Sequence, residues 1–138
     1  ASVTVDDGWY SYWSKRCENP LDDAETLMFD EHDVLVEIGQ KTEDLNKVQA
    51  QYIGLMRFRG EGIQTLLEWA EGAKERTEQG IPVWRTLRTY RKMYMTDLLQ
   101  GLIDEGYELK AVHINRGWFE IDDYDDLKLA EIELQEEK

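Results

Sequence analysis

Residues 109–131 read LKAVHINRGWFEIDDYDDLKLAE, and this stretch decides the fold class because strand-like and helix-like patterns follow each other within it. The apolar and β-branched run 109–114 predicts a strand, and the Asn-Arg-Gly sequence of 115–117 predicts a turn. A second strand is predicted over 118–121, and a helix from about Asp123. Strands and a helix in one short segment are typical of an α/β domain, in which helices pack on a sheet.

The acidic residues of this stretch allow two interpretations. Glu120 and Asp122 occupy alternate positions, so a strand would point both carboxylates to one face, where a cation that prefers oxygen ligands could bind. Asp123 fits a helix N-cap, with Asp125 and Asp126 as acids of the first helical turn, where the helix dipole favours them. Periodicity alone does not choose between a metal site and an acid-capped helix.

The rest of the chain continues this alternation of elements and predicts a single domain over residues 1–138. Strands are predicted at 2–5, 25–29, 34–38 and 52–58, the second and third forming a β-hairpin across a polar loop. Apolar spacing predicts helices at 9–16, from Glu61, and over 95–102, the last ending at Gly106. The predicted fold is therefore a layered α/β domain with a mixed β-sheet, packed helices and a β-hairpin.

Composition limits the partners and the location. The 30 Asp and Glu residues against 16 Lys and Arg give a net charge of −14, which disfavours nucleic acid and anionic membrane surfaces as partners. The same charge suits a divalent cation, a basic partner or a small cationic ligand. The lone Cys17 cannot form an internal disulfide, and no apolar run is long enough to span a bilayer. These features predict a soluble, cytoplasmic protein.

Several blocks of the sequence occur together in the order and spacing of a known family. They are 13–16 (WSKR), 19–26 (NPLDDAET), 38–41 (IGQK), 52–55 (YIGL), 94–100 (YMTDLLQ), 103–106 (IDEG) and 112–122 (VHINRGWFEID). Together these blocks resemble the C-terminal half of small nucleotidyltransferases, in particular the group of phosphocholine and 2-aminoethylphosphonate cytidylyltransferases. The resemblance covers nearly the whole chain and implies a partial nucleotidyltransferase-like fold.

One part of the family pattern is not found in these 138 residues. Enzymes of this family begin with a glycine-rich loop that carries Arg and Lys and holds the nucleotide phosphates, followed by a first metal-binding Asp. Glycines let backbone amides approach phosphates closely. The ten glycines of this chain are scattered singly. The resemblance therefore implies the substrate-side half of the fold without its nucleotide-binding half.

The resemblance also implies roles for individual residues in a reaction that transfers CMP from CTP to a phosphate or phosphonate oxygen. Asp122 would bind Mg²⁺ with support from Glu120, and Lys41 would be the catalytic residue that neutralises a phosphate. The residues implied to contact a cationic substrate nitrogen are the acids Asp23, Glu25 and Asp97 and the aromatic residues Tyr52, Tyr94 and Trp118.

Two functions of different classes follow. The first is a truncated or split cytidylyltransferase, inactive alone and active only with an N-terminal half. The second is a non-catalytic protein derived from that fold, which binds a partner or a small cationic molecule and self-associates. Removing the first strands of a layered sheet exposes an edge and an apolar face. Both functions therefore predict a partner, either a homodimer or the missing half.

Other residues are interpreted as structural. Trp13, Trp69 and Tyr94 are more typical of a core than of a ligand site, whereas Trp118, in a turn after glycine, is expected to be partly exposed. His113 is expected to be packed or hydrogen-bonded. The basic segment 85–92 is interpreted as solvated, with contact to an anionic substrate group or an acidic partner as the alternative.

Overall fold

The computed structural model describes residues 1–137. The strands are β1 (Ser2–Asp6), β2 (Leu27–Phe29), β3 (Leu35–Ile38), β4 (Gln51–Arg57) and β5 (Lys110–Ile114). The helices are α1 (Trp9–Arg16), α2 (Glu61–Glu78), α3 (Met95–Asp104) and α4 (Tyr124–Glu136), and short 3₁₀ turns cover Pro20–Asp22, Leu45–Lys47 and Tyr90–Lys92. None of these helices is long and apolar enough to cross a membrane.

The strands form a three-stranded mixed sheet and a separate hairpin. β1 lies in the centre of the sheet, antiparallel to β4 and parallel to β5. β2 and β3 pair with each other, and the hairpin joins the main sheet where Leu35 N donates to the Leu109 carbonyl at 2.9 Å. The predicted α/β class, mixed sheet and hairpin are confirmed.

The main core lies between the sheet and α3. Val3 and Val5 of β1 are buried against Leu99 of α3 and against apolar residues of the hairpin. The buried Gln100 of α3 also accepts a hydrogen bond from Ile38 N at 2.9 Å, which fixes α3 to β3. Burying this apolar surface is the main source of stability, at about 25 cal/mol per Å².

A second cluster is built on α1, whose aromatic residues Trp9, Tyr12 and Trp13 are all buried. Their spacing of three and four positions places them on one face of the helix. Trp118 packs partly buried against this cluster, so its predicted partial exposure is confirmed, as is the core position of Trp13. The expectation that Tyr94 belongs to the core is wrong, because 57% of this residue is exposed.

His113 is hydrogen-bonded, as expected. Its Nδ1 lies 2.9 Å from an Asp7 carboxylate oxygen and its Nε2 lies 3.3 Å from Asp33. The hydrogen bond with Asp7 raises the pKa of His113, and the charge of Asp33 adds to the effect. The imidazole thereby links the tip of the hairpin to the ends of β1 and β5.

The predicted strand at 118–121 is wrong. In the described part of the chain, no strand follows β5, and the backbone of Glu120 instead bonds to a side chain. The Tyr12 hydroxyl donates to the Glu120 carbonyl and accepts from Glu120 N, both at 3.0 Å. The Trp118 carbonyl accepts from Arg116 Nη2 at 2.9 Å. These side chains replace a strand partner, so Glu120 and Asp122 do not lie on one face of a strand.

Two helical glycines give a matched test of the packing beside α3. A Cβ on Gly101 would lie 2.8 Å from the Trp84 ring, whereas a Cβ on Gly72 in α2 would meet nothing within 4 Å. We expect Gly101→Ala to lower the free energy of unfolding by about 1–3 kcal/mol through overpacking. Gly72→Ala should raise it by about 0.5–1 kcal/mol through helix propensity. Urea denaturation measures both, and a stabilised Gly101→Ala variant would contradict the packing.

Candidate substrate site

The candidate site has two halves, one around Arg16 at the end of α1 and one around Asp97 at the start of α3. The buried guanidinium of Arg16 lies at the centre of the first half. Arg16 is the last residue of α1, and its side chain is only 5% exposed. Its Nε donates to Asp126 Oδ1 at 2.8 Å and its Nη2 donates to Asp126 Oδ2 at 3.0 Å. This two-bond geometry is the strong form of an arginine–carboxylate pair. It lowers the pKa of Asp126 to about 2.

The cap of α4 places Asp126 for this pair. The Asp123 side chain accepts from the backbone N–H groups of Asp125 and Asp126, which confirms the predicted N-cap. Asp126 Oδ2 in turn accepts from Asp122 N at 3.0 Å. The acidic start of α4 therefore has two roles, since one carboxylate caps the helix and another binds α1.

Arg16 also contacts two of the predicted site residues. Its guanidinium lies 3.2 Å from Asp23 Oδ2 and 3.0 Å from Asp122 Oδ2. Asp23 is further held by Trp13 Nε1, which donates to it at 2.9 Å. Arg16 thus brings together three carboxylates from two separate segments of the chain, the loop at Asp23 and the start of α4.

The carboxylates of this half do not form a complete metal site. Asp122 is paired with Arg16, and burial raises the pKa of Glu120, with repulsion from Asp122 adding to the rise. Within residues 1–137, no group of three or more His, Cys, Asp or Glu side chains is arranged to hold a metal ion. The magnesium role of Asp122 and Glu120 therefore stays a prediction.

The other half of the site lies at the start of α3. Asp97 is buried and caps this helix by accepting from Tyr94 N at 2.9 Å. Arg88 Nη1 lies 3.3 Å and 3.5 Å from the two Asp97 oxygens. The same guanidinium lies over the Tyr94 ring, 4.3 Å from its centre. The basic segment 85–92 therefore contributes to the site, where the sequence predicted mainly a solvated role.

Glu25 and Lys41 connect the two halves. Burial raises the pKa of Glu25, the charges of Lys41 and Arg88 oppose that rise, and Asp97 and Asp23 strengthen it. Lys41 Nζ donates to the Asp23 carbonyl at 3.2 Å. Four charged groups therefore lie within electrostatic reach of Glu25.

The remaining predicted residues lie in different environments. Trp118 Nε1 donates to the buried Asp6 at 2.7 Å, and the Trp118 ring lies 5.9 Å from that of Trp13, which supports Asp23. Tyr52 instead packs against the main core, where burial raises the pKa of its hydroxyl. The structure therefore gathers the predicted residues around the two halves, with Tyr52 as the exception.

One known protein aligns with most of this chain. The chain is 34% identical over 128 residues to the CTP:phosphoglutamine cytidylyltransferase of Campylobacter jejuni, and the match covers 93% of this chain. The chain is related to part of a cytidylyltransferase. It spans about half of that enzyme's length, since the match covers 48% of it. No family model and no solved structure matches the chain.

The relationship to a cytidylyltransferase confirms the resemblance predicted from the sequence blocks. Four residues that organise the site were not predicted as functional, namely Arg16 with its partner Asp126, and the buried Asp6 with its partner Arg116. Arg16 and Arg116 each lie inside a block that carried the resemblance, 13–16 and 112–122. Their position in these blocks was the signal that could have identified them. Burial could not have done so, because a buried arginine and an exposed one look alike in a single sequence.

Proposed function

We propose that this chain forms the substrate side of a cytidylyltransferase and binds a small phosphorylated or phosphonate molecule that carries nitrogen. The observation that carries the proposal is the position of Asp23. Its carboxylate accepts hydrogen bonds from Arg16 and Trp13, while its carbonyl accepts from Lys41, which connects the two halves of the site. Asp23 is therefore held by α1 on one side and by the predicted catalytic lysine on the other, which supports a substrate-binding role for it.

The reaction in this proposal is nucleotidyl transfer. An oxygen of the substrate phosphate or phosphonate forms a bond to the α-phosphorus of CTP, and the bond to pyrophosphate breaks. Catalysis of this kind depends on positioning and on neutralising the phosphate charge. Lys41 is the residue we assign to neutralise the substrate phosphate, since its ammonium lies beside Asp23 and within electrostatic reach of Glu25.

The nucleotide in this proposal is bound by another polypeptide segment. The relative is about twice as long as the matched region, and these 138 residues contain no glycine-rich phosphate loop. We propose that the nucleotide-binding part joins or assembles with this chain when catalysis takes place. The relative's name gives phosphoglutamine as its substrate, which fits a phosphorylated molecule that carries nitrogen.

A second candidate is a non-catalytic protein that self-associates through its sheet. Thr4 of β1 pairs with Val112 of β5 on the face opposite the core, where Val112 is 47% exposed. Leu55 of β4 lies on the same face and is 60% exposed. Exposed apolar side chains beside an open strand edge favour association with a second polypeptide.

Ligand binding by the purified chain tests the proposed function. We expect at least one of phosphocholine, 3-aminopropylphosphonate and 2-amino-4-phosphonobutyrate, without CTP, to raise the melting temperature. A ligand at 100 times its Kd stabilises the folded state by about 2.7 kcal/mol, which corresponds to several degrees. Asp23→Asn should weaken binding by about tenfold, because it removes a charge at the junction of the two halves.

Asp22→Asn is the matched control for this experiment. Asp22 carries the same charge one position away and is exposed, and among the described residues its carboxylate accepts a hydrogen bond only from the Asn19 amide. Binding by the control variant should equal that of the wild type. If none of the three compounds shifts the melting temperature of the wild type, the self-association candidate is favoured. If ligand binding is weakened equally in both variants, Asp23 does not contact the ligand.

A further inference from the structure

The aromatic faces of the site are already covered by arginine side chains. Arg116 lies 3.9 Å from the centre of the Tyr12 ring, Arg16 lies 5.0 Å from that of Trp13, and Arg88 lies 4.3 Å from that of Tyr94. A quaternary ammonium group is recognised mainly by open aromatic faces. Such a ligand would have to displace a guanidinium that already makes the same kind of contact, so the exchange would gain little.

Of these three arginines, Arg88 is the one whose guanidinium still has exposed hydrogen-bond donors for a ligand. Its side chain is 45% exposed, whereas that of Arg16 is 5% and that of Arg116 is 23% exposed. Its bonds to Asp97 are long, at 3.3 Å and 3.5 Å, and both use Nη1. Among residues 1–137, no side chain or carbonyl accepts from its Nε or Nη2. A guanidinium with free donors on two nitrogens matches the geometry of a carboxylate.

The surroundings of Arg88 supply the opposite charge as well. Asp97 is buried beside it, and Glu25 is half-buried and within electrostatic reach of both Arg88 and Lys41. A ligand with a carboxylate and an ammonium on the same carbon could place its carboxylate on Arg88 and its ammonium toward Glu25. Charge-assisted hydrogen bonds at both ends would then fix its orientation.

We propose that Arg88 binds a carboxylate of the substrate, so that the substrate is a phosphorylated or phosphono amino acid and not a quaternary ammonium phosphate. This inference rests on the proposed function, because it assigns one end of the same substrate. It gives the basic segment 85–92 a role in specificity. It also replaces the predicted cation–π role of Tyr94 with a supporting one, in which the ring holds the Arg88 guanidinium in place.

Two phosphonates that differ by one carboxylate test the proposal on the whole chain. Isothermal titration would compare 2-amino-4-phosphonobutyrate with 3-aminopropylphosphonate, which has the same carbon chain and amine but no carboxylate. We expect the wild type to bind the amino acid at least about tenfold more tightly, because an arginine–carboxylate pair adds two charged hydrogen bonds. Arg88→Gln should reduce this ratio to about one, and Arg88→Lys should restore part of it.

Arg91→Gln is the matched control, since it removes the same charge from an exposed position in the same segment. The ratio should persist in this variant. Equal binding of the two phosphonates by the wild type would overturn the role of Arg88 and leave the proposed function intact. Tighter binding of phosphocholine than of the amino acid, or an unchanged ratio in Arg88→Gln, would overturn it as well. If none of the three compounds binds, both the inference and the proposed function are wrong.

Discussion

Replacing Arg16 with Ala is expected to lower the free energy of unfolding by about 3–5 kcal/mol. The substitution removes the positive charge from a buried pair in which the Arg16 side chain is 5% exposed and that of Asp126 is 8% exposed. The Asp126 carboxylate would stay buried without its partner, and Asp23 and Asp122 would repel it. A loss of this size is a large fraction of the total stability of a domain.

Urea denaturation measures this loss, and Lys15→Ala is its control. Lys15 is the neighbouring residue of α1 and pairs with Glu133 of α4, but its side chain is 53% exposed. An exposed pair contributes about 0–1 kcal/mol, so the control should change little. Equal losses in the two variants would show that the buried pair contributes no more than the exposed one.

The same variant should change the response to acid. The ordinary pKa of Asp126 is 3.8, and in the folded state it is lowered to about 2, chiefly by the hydrogen bonds from Arg16. A carboxyl group with a lowered pKa stabilises the fold above its unfolded pKa, and this contribution is lost as the pH falls through the folded value. Wild-type stability should therefore fall between about pH 4 and pH 2, and this part of the fall should shrink in Arg16→Ala.

Asp6→Ala is expected to lower the free energy of unfolding by a similar amount, about 3–5 kcal/mol. Asp6 is fully buried at the end of β1. Its carboxylate accepts from Gly8 N at 2.9 Å, from Arg116 N at 2.8 Å and Nη1 at 2.7 Å, and from Trp118 Nε1 at 2.7 Å. Burial alone would raise the pKa of Asp6, but these bonds together lower it. Removal of the carboxylate leaves four donors without an acceptor.

Thermal denaturation and Trp fluorescence measure the effect of Asp6→Ala. The loss of the bond to Trp118 Nε1 should shift the emission of that indole, which lies beside Trp13. The control is Asp7→Ala, the next residue, whose side chain is 46% exposed and pairs with His113. The control should cost about 1 kcal/mol or less. A native-like melting temperature in Asp6→Ala would contradict the central role of this carboxylate.

The elements that could be predicted from the sequence are those in which local pattern and tertiary environment agree. The apolar stripes of α2 and α3, the acidic cap of α4 and the β-branched run of β1 each specify one structure, and each was predicted. The prediction of a strand at 118–121 was wrong because a strand needs a neighbouring backbone to pair with. A single sequence does not show which groups will lie beside a segment. Here the Tyr12 hydroxyl satisfies Glu120 instead.

The roles of the predicted site residues stay a prediction, but the structure does place Asp23, Lys41 and Asp97 within electrostatic reach of Glu25. The pairing of Arg16 with Asp126 was not predicted, because the two residues are 110 positions apart and each has an ordinary local explanation as a helix-end charge. Tyr52 carries the matching motif but points into the core, which sequence blocks alone do not reveal.

The long separation between Arg16 and Asp126 has a consequence for synthesis on the ribosome. α1 is synthesised before the carboxylate that neutralises its buried guanidinium, which is added 110 residues later. Until then, burial of Arg16 is unfavourable, and the aromatic face of α1 lacks Trp118 and Phe119 as neighbours. Contacts between distant residues also slow folding, because a long loop must close before they form. The nascent chain can therefore complete its sheet and α3 before the pair of Arg16 and Asp126 forms.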